Sequence, residues 1–222
     1  SAIEKVAPLV SELKSKYAIK FFSIGGGMGI IYRRALESGS GKWWRDHEGE
    51  PSAFSVRDYA DVIVPPLRDL AIRILVEPGR FLIGNAGVLL TRVRYIKRTG
   101  SKEFAIVDAG MNDLIRPALY QAHHQIVPVE ETKHEKKTTK IDIVGPVCES
   151  GDFFAVDREM PALREGDLLG VMSAGAYGFV MASNYNSRQL PAEVLVQGNK
   201  FALIRRRQTW DDLVREEVDP GW

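Results

Sequence analysis

This sequence has almost no cysteine, no long apolar run and no excess of either charge. Cys148 is the only cysteine in the chain, so an intrachain disulfide is impossible and a reducing, cytoplasmic setting is the simplest inference. No apolar run approaches the roughly 20 residues of a membrane helix, and we expect no membrane segment. The 30 basic and 29 acidic residues nearly cancel, which argues against nucleic acid as a partner. Small molecules or proteins are therefore the expected partners.

The first 88 residues or so alternate between helix and strand patterns. An apolar stripe at helical spacing covers 3–17, and short apolar runs at 19–24 and 72–76 predict strands. The order helix, strand, helix, strand is typical of a parallel sheet with crossover helices. Because the helical stripe is already running within the first few residues, we expect the chain to be cut from a longer polypeptide.

Local signals refine this part of the chain. Ser55 followed by Asp58 predicts a helix N-terminus, and the helical face that follows is expected to be interrupted at Pro65 and Pro66. The stretch 32–53 has no clean period and is predicted to be a long loop or insertion.

Beyond residue 88 the pattern changes to short strand-like runs separated by turn residues, which predicts a mostly β domain. The run EVLVQGNKFALI reads as a hairpin around Gly198 and Asn199, and Thr209 is expected to cap a closing helix. The lysine- and histidine-rich run at 131–140 is predicted to be a solvated loop.

A glycine cluster, Gly25, Gly26 and Gly27, follows the first predicted strand in the run GGGMGI. Unhindered backbone N–H groups there can surround a phosphate, and the start of an adjoining helix would add its dipole. A tight turn that needs positive φ explains the same glycines equally well, so both interpretations stay open. The pattern matches neither the Walker lysine motif nor the complete dinucleotide motif.

Glu77 and Arg80 flank a Pro-Gly turn at the end of the second predicted strand, in the run EPGR. The alternative to a functional role is a salt bridge that fixes the loop. Pro78 restricts the backbone, whereas Gly79 allows the backbone to approach a ligand closely. A carboxylate held there can bond a protonated ring nitrogen, and an arginine can bind a carboxylate or phosphate through two hydrogen bonds.

The β domain contains three further candidates in glycine-rich surroundings. Cys148 and Glu149 lie on a predicted turn in GPVCESGDFFA, where a thiol can reach solvent and act as an acid, although a lone cysteine is more often a small buried apolar residue. Tyr177 stands among small residues, so its ring and hydroxyl are accessible to a ligand.

The segment NDLIRPALY adds Arg116 and Tyr120, which share one face if this turn is helical. His123 and His124 are adjacent and therefore do not share a helix face, and no cysteine or acidic residue completes a ligand spacing. We expect no metal site.

Taken together and in order, the motifs GGGMGI, EPGR with GNAG, MNDLIRPALY, GPVCESGDFF and AGAYGFVMASNYNSR resemble those of the fold-type III pyridoxal phosphate decarboxylases. The resemblance implies an α/β plus β fold. Residues 1–88 would form the C-terminal part of a (β/α)8 TIM-type barrel that binds the cofactor, and 89–222 a mostly antiparallel β-barrel or sandwich domain. It also implies a homodimer whose active sites are shared between the barrel of one subunit and the β domain of the other.

The resemblance assigns roles where the motifs match. Cys148, from the second subunit, would be the catalytic proton donor. Glu77 would pair with the pyridinium nitrogen, and Glu149 would read the distal amino acid centre of the substrate. The cofactor-binding residues would be Gly25, Gly26, Gly27, Glu77, Gly79, Arg80 and Tyr177, and the substrate-binding residues Arg80, Arg116, Tyr120, Glu149 and Tyr177.

Within this family, the CES run with Arg116 and Tyr120 favours decarboxylation of meso-2,6-diaminopimelate to L-lysine, the last step of lysine biosynthesis. Ornithine, arginine and carboxynorspermidine remain alternative substrates, and a non-catalytic regulatory homologue remains an alternative class. The family's Schiff-base lysine has no counterpart here. We therefore expect this chain to be the C-terminal half of the enzyme, inactive until the N-terminal half is supplied.

Overall fold

The computed structural model describes residues 2–48, 50, 55–130 and 138–222. Most of the run at 131–140, predicted to be a solvated loop, lies outside these residues. The chain forms two compact units, which divide between Ala86 and Gly87. Over the described ranges, no helix combines the length and the apolar character that a membrane crossing requires.

The first unit consists of helices packed on two short parallel strands. Its elements are α1 (Ala2–Tyr17), β1 (Phe21–Ser23), α2 (Gly41–Asp46), α3 (Val56–Leu67), β2 (Arg73–Leu75) and α4 (Arg80–Ile83). Val10 of α1 and Ile63 of α3 meet in one apolar core, against which Phe22 and Ile74 of the strands pack. The predicted opening helix and both strands of this unit are thereby confirmed.

The two strands of the first unit are in register along their whole length. Phe21 pairs with Arg73 and Ser23 with Leu75, in parallel orientation. The carboxyl ends of β1 and β2 therefore coincide, and the residues that follow each strand emerge side by side.

Helix α3 begins at the predicted cap and continues past its predicted end. The Ser55 hydroxyl accepts the Asp58 N–H at 3.3 Å, and the Asp58 carboxylate accepts the Ser55 N–H at 2.7 Å. The expected interruption at Pro65 and Pro66 is wrong, because α3 extends to Leu67. Both prolines lie in the last turn of α3, so the backbone hydrogen bonds that they remove are lost only at the end of the helix. Leu67, which follows them, is held in the core with 4% of its surface exposed.

The predicted long loop at 32–53 contains a short helix. In α2 the Ser40 hydroxyl accepts the Trp43 N–H at 3.2 Å, and the buried Trp43 ring stacks on His47 with a centroid distance of 4.4 Å. A helix of this length has too few turns to give a readable apolar period, which explains why the pattern did not predict it. Residues 49 and 51–54 lie outside the described part of the chain.

The second unit is built on a six-stranded sheet with the order β5-β8-β3-β4-β6-β7. Its strands are β3 (Leu89–Arg98), β4 (Glu103–Val107), β5 (Ile126–Pro128), β6 (Thr138–Val144), β7 (Phe153–Pro161) and β8 (Leu168–Val171). The pairings are antiparallel as predicted, except that β4 and β6 are parallel. The sheet curls, since Arg158 of one edge strand donates to the His124 carbonyl beside the other at 2.9 Å.

Three shorter elements complete the second unit. They are α5 (Arg116–Tyr120) and the hairpin of β9 (Glu193–Gln197) with β10 (Lys200–Arg205), followed by α6 (Trp210–Val214). The predicted turn at Gly198 and Asn199 and the cap at Thr209 are both confirmed. The core of the sheet is fully closed to solvent at Ala105, Ile143 and Leu169.

We predict that Ser55→Ala weakens α3 by about 1 kcal/mol, because the helix loses the hydroxyl that accepts the Asp58 N–H. Amide hydrogen exchange in 56–67 should accelerate about fivefold. Ser15→Ala is the control, since the Ser15 hydroxyl bonds the Ser11 carbonyl within α1 and caps nothing. Equal exchange in the two variants would contradict the prediction.

Candidate active site

The glycine loop lies at the carboxyl end of β1 and is bonded to the segment that follows β2. Gly25 and Gly27 have φ values of 71° and 99°, in the left-handed region that favours glycine. The Glu77 N–H donates to the Gly25 carbonyl at 2.9 Å. The adjoining helix that was predicted to add its dipole is not found, because no helix begins at the glycines and only irregular structure and turns lead from them to residue 36.

Glu77 is exposed and stands directly beside the glycine loop. Its Oε1 accepts the hydroxyl of Ser23, the last residue of β1, at 2.5 Å. A Cβ added at Gly26 would lie 2.8 Å from the Glu77 carbonyl oxygen, so the two segments are in close backbone contact. The structure therefore places a glycine loop of a type that can bind anions next to a carboxylate.

Arg80 follows Glu77 at the start of α4. Gly79 has a φ of 42° and precedes the helix, and the Arg80 guanidinium carbon lies 5.8 Å from the centre of the Tyr32 ring. The Glu77 carboxylate accepts a hydrogen bond from the Ser23 hydroxyl, a partner that the sequence pattern did not indicate.

In the second unit, Arg116 lies between two tyrosine rings. Its guanidinium carbon is 5.9 Å from the ring centre of Tyr120 and 5.7 Å from that of Tyr177. The prediction that Arg116 and Tyr120 share one helix face is confirmed. Tyr177 has a φ of 60°, a backbone conformation that is uncommon for a bulky residue.

Cys148 and Glu149 lie on the loop 145–152, which joins β6 to β7. Both are exposed, so the alternative of a buried structural cysteine is wrong. The Tyr185 hydroxyl donates to Glu149 Oε2 at 3.2 Å, and this hydrogen bond raises the pKa of Tyr185. Sequence reasoning missed Tyr185, because nothing in the local pattern places it opposite residue 149.

A buried polar network holds the segments around this cluster. Arg188 donates to the Asn112 side-chain oxygen at 2.8 Å and to the Asp108 carbonyl at 2.6 Å. The Asn112 carbonyl in turn accepts the Ser183 N–H at 2.9 Å. Burial raises the pKa of Asp113, and the nearby charge of Arg188 counters that effect. The segments 108–113 and 183–188 are thereby tied to each other.

The adjacent histidines have structural partners. His124 is completely buried, its Nδ1 lies 2.8 Å from the Met172 carbonyl oxygen, and burial lowers its pKa. His123 Nδ1 lies 3.3 Å from an Arg158 nitrogen. Among the described residues no group of three or more His, Cys, Asp or Glu side chains could hold a metal ion.

Comparison with known proteins now identifies the class. The protein-family model described as pyridoxal-dependent decarboxylase, C-terminal sheet domain, matches residues 12–175 of this sequence. The chain belongs to the pyridoxal-dependent decarboxylase family, whose cofactor is pyridoxal phosphate.

Several relatives within this family are diaminopimelate decarboxylases. The chain is 48% identical over 219 residues to diaminopimelate decarboxylase of Aquifex aeolicus, covering 98% of this chain and 48% of that protein. It is 47% identical over 217 residues to the Pseudomonas aeruginosa enzyme, covering 97% and 48%. A crystal structure of Helicobacter pylori diaminopimelate decarboxylase complexed with L-lysine has a TM-score of 0.80 at 38% identity, covering 96% and 49%. The chain thus spans about half the length of the curated relatives it matches.

We predict that Gly26→Ala displaces the glycine loop from Glu77, because the new methyl group would meet the Glu77 carbonyl oxygen at 2.8 Å. Loss of the bond from the Glu77 N–H to Gly25 should accelerate exchange of that amide about tenfold. Gly29→Ala is the matched control, since a Cβ there meets nothing within 4 Å. The prediction fails if both variants exchange at the unmodified protein's rate.

Proposed function

We propose that this chain supplies the C-terminal half of a pyridoxal phosphate-dependent decarboxylase that converts meso-2,6-diaminopimelate into L-lysine and CO2, the last step of lysine biosynthesis. One observation carries the proposal: the glycine loop and the Glu77 carboxylate stand side by side at the ends of two parallel strands. The names and the bound L-lysine of the relatives support the choice of substrate.

The residues at these strand ends fit the cofactor chemically. The loop of Gly25, Gly26 and Gly27 would bind its phosphate through the backbone N–H groups of Gly26 and Gly27, because the Gly25 N–H donates to the Ser23 hydroxyl at 3.2 Å. The Glu77 carboxylate would keep its ring nitrogen protonated. Gly79 and Arg80 would line the same pocket. When bound, pyridoxal phosphate supplies an electron sink for the electron pair that departing CO2 leaves on the substrate carbon.

Diaminopimelate carries two carboxylates and two amines, so its binding site needs several charged or polar groups. Arg80 and Arg116 would bind carboxylates, and Glu149 would bind the amine of the distal centre. Tyr120 and Tyr177 flank Arg116 and would limit where its guanidinium can point. Tyr177, which is 40% exposed, would also contact the cofactor.

Protonation of the substrate carbon requires an acid within reach. Cys148 is the one thiol in this chain, and it is exposed on the loop 145–152. We assign it the transfer of a proton from Sγ to that carbon, with water returning the proton afterwards.

The remaining assignments also belong to this proposal. Residues 1–88 would be the last part of a (β/α)8 barrel and 89–222 its β domain. The lysines of the first unit lie on α1 and α2 and just before β1, so none of them directly follows β1 or β2 in the chain. The N-terminal half would therefore supply the lysine that holds the cofactor. A homodimer with shared active sites and a cytoplasmic location complete the proposal.

We predict that the full-length protein loaded with pyridoxal phosphate releases L-lysine and CO2 from meso-diaminopimelate in preference to ornithine, arginine and carboxynorspermidine. Product analysis by mass spectrometry measures this directly. The purified 222-residue chain is the negative control and should release nothing. A full-length protein that binds the cofactor and acts only on another of these amino acids would overturn the substrate assignment. A full-length protein that lacks the absorbance band of bound pyridoxal phosphate would favour the non-catalytic regulatory alternative.

We predict that Glu77→Gln in the full-length protein lowers kcat by about a hundredfold or more. The amide keeps the shape of the side chain but loses the negative charge that would stabilise the protonated ring nitrogen. KM should change much less. Glu103→Gln is the control, because Glu103 pairs with Arg98 on the exposed β3–β4 hairpin. A Glu77→Gln enzyme with an unchanged kcat, or a liganded structure with Glu77 far from the ring, would refute this role.

A further inference from the structure

Asp152 closes the loop that carries Cys148 and Glu149. It is the last residue before β7, and its carbonyl accepts the Gly145 N–H at 3.0 Å across the base of the loop. Its side chain turns into the loop and is only 4% exposed. Asp152 is thus a buried carboxylate beneath two exposed candidate functional groups.

Each carboxylate oxygen of Asp152 accepts a backbone N–H from a different segment. Oδ2 accepts from Val147, within the loop, at 2.6 Å. Oδ1 accepts at 2.6 Å from Met111, in the segment that leads into α5. One side chain therefore joins the loop of Cys148 to the segment of Arg116.

Two neighbouring contacts show how closely the loop 145–152 packs around the Asp152 side chain and against α5. A Cβ at Gly145 would lie 2.3 Å from Asp152 Oδ2, so only glycine leaves room for the carboxylate. On the other side, a Cβ at Gly151 would lie 3.7 Å from the Ala118 Cβ of α5, so the loop packs on the helix itself.

We propose that Asp152 is a positioning residue that fixes Cys148 and Glu149 relative to Arg116 and Tyr120. The catalytic meaning of this role rests on the function proposed above, in which Cys148 reaches the active site of the second subunit: Asp152 fixes the direction in which the Cys148 loop leaves the segment of Arg116 and Tyr120. Asp152 itself touches neither substrate nor cofactor and acts only through the backbone of the two segments.

Asp152 makes both contacts at once because an ionised carboxylate has two acceptor oxygens and no donor. Burial raises the pKa of its carboxyl, and the hydrogen bonds from Val147 and Met111 counter that effect. An asparagine has nearly the same shape but only one acceptor oxygen, and its NH2 group would face one of the two backbone donors. Asp152→Asn should therefore break one contact without leaving a cavity.

The test compares Asp152→Asn with Asp142→Asn in the full-length protein. Asp142 is a matched control: it is also buried, and it accepts the Asp157 N–H and the Lys102 amine, each at 2.7 Å, away from this loop. In Asp152→Asn we expect amide exchange to accelerate about tenfold in both 145–152 and 111–120. With cofactor and diaminopimelate, kcat should fall about tenfold to a hundredfold and KM should rise. Asp142→Asn should change none of these.

Gly145→Ala tests the contacts of Asp152 with Val147 and Met111 independently, because its methyl group would displace the Asp152 carboxylate. It should reproduce the exchange pattern, and it decides the question if Asp152→Asn does not fold. Acceleration confined to 145–152 would overturn the proposal, since Asp152 would then only close its own loop. Equal losses of kcat in the Asp152 and Asp142 variants would overturn it too. The exchange result stands even if diaminopimelate proves to be the wrong substrate.

Discussion

The parallel pairing of β1 with β2 is the constraint on which the candidate cofactor site depends. In a parallel pair both strands end at the same edge, so the glycine loop and Glu77 meet although about 50 residues separate them in sequence. Two hydrogen bonds then hold them together, one from the Ser23 hydroxyl and one from the Glu77 N–H. An antiparallel pairing would have sent these groups to opposite edges of the sheet.

In the second unit, segments that are distant in sequence are held together by buried polar side chains instead of paired strand ends. Asp152 joins the Cys148 loop to the Met111 segment, and Arg188 joins that segment to 183–188 through Asn112 and a nearby Asp113. A carboxylate offers several acceptor positions and no donor, which suits loops whose backbone N–H groups have no strand partner. Loops held this way can be long and still fix the direction of their side chains.

The parts of this architecture that the sequence predicted depend on local signals. The cap at Ser55, the hairpin at Gly198 and the shared face of Arg116 and Tyr120 each involve residues within five positions of each other. Recognition of the family motifs added roles for candidate residues that local physics left open.

Helix α2 and the continuation of α3 past its prolines are local features that the sequence did not predict, whereas the unpredicted tertiary contacts depend on distant partners. Ser23 bonds a carboxylate 54 positions away, Tyr185 one 36 positions away, and Asp152 reaches back 41 positions to Met111. The parallel pairing of β4 with β6 is equally distant, because the chain between them passes through α5 and β5. No short window of sequence contains both members of such a pair.

Exposure distinguishes three of the proposed functional residues from two buried side chains that bond backbone groups, although Arg116, also proposed to bind substrate, is only 6% exposed. Cys148, Glu149 and Glu77 are exposed on loops, where a ligand can reach them, whereas Asp152 and His124 are buried and engaged by backbone groups. The upward pKa shift of Asp152 and the downward shift of His124 both arise first from burial. A perturbed pKa often marks a catalytic group, but these two shifts belong to buried side chains that bond backbone groups. For Asp152 and His124, the displaced pKa values therefore reflect burial among structural partners and not a part in the proposed chemistry.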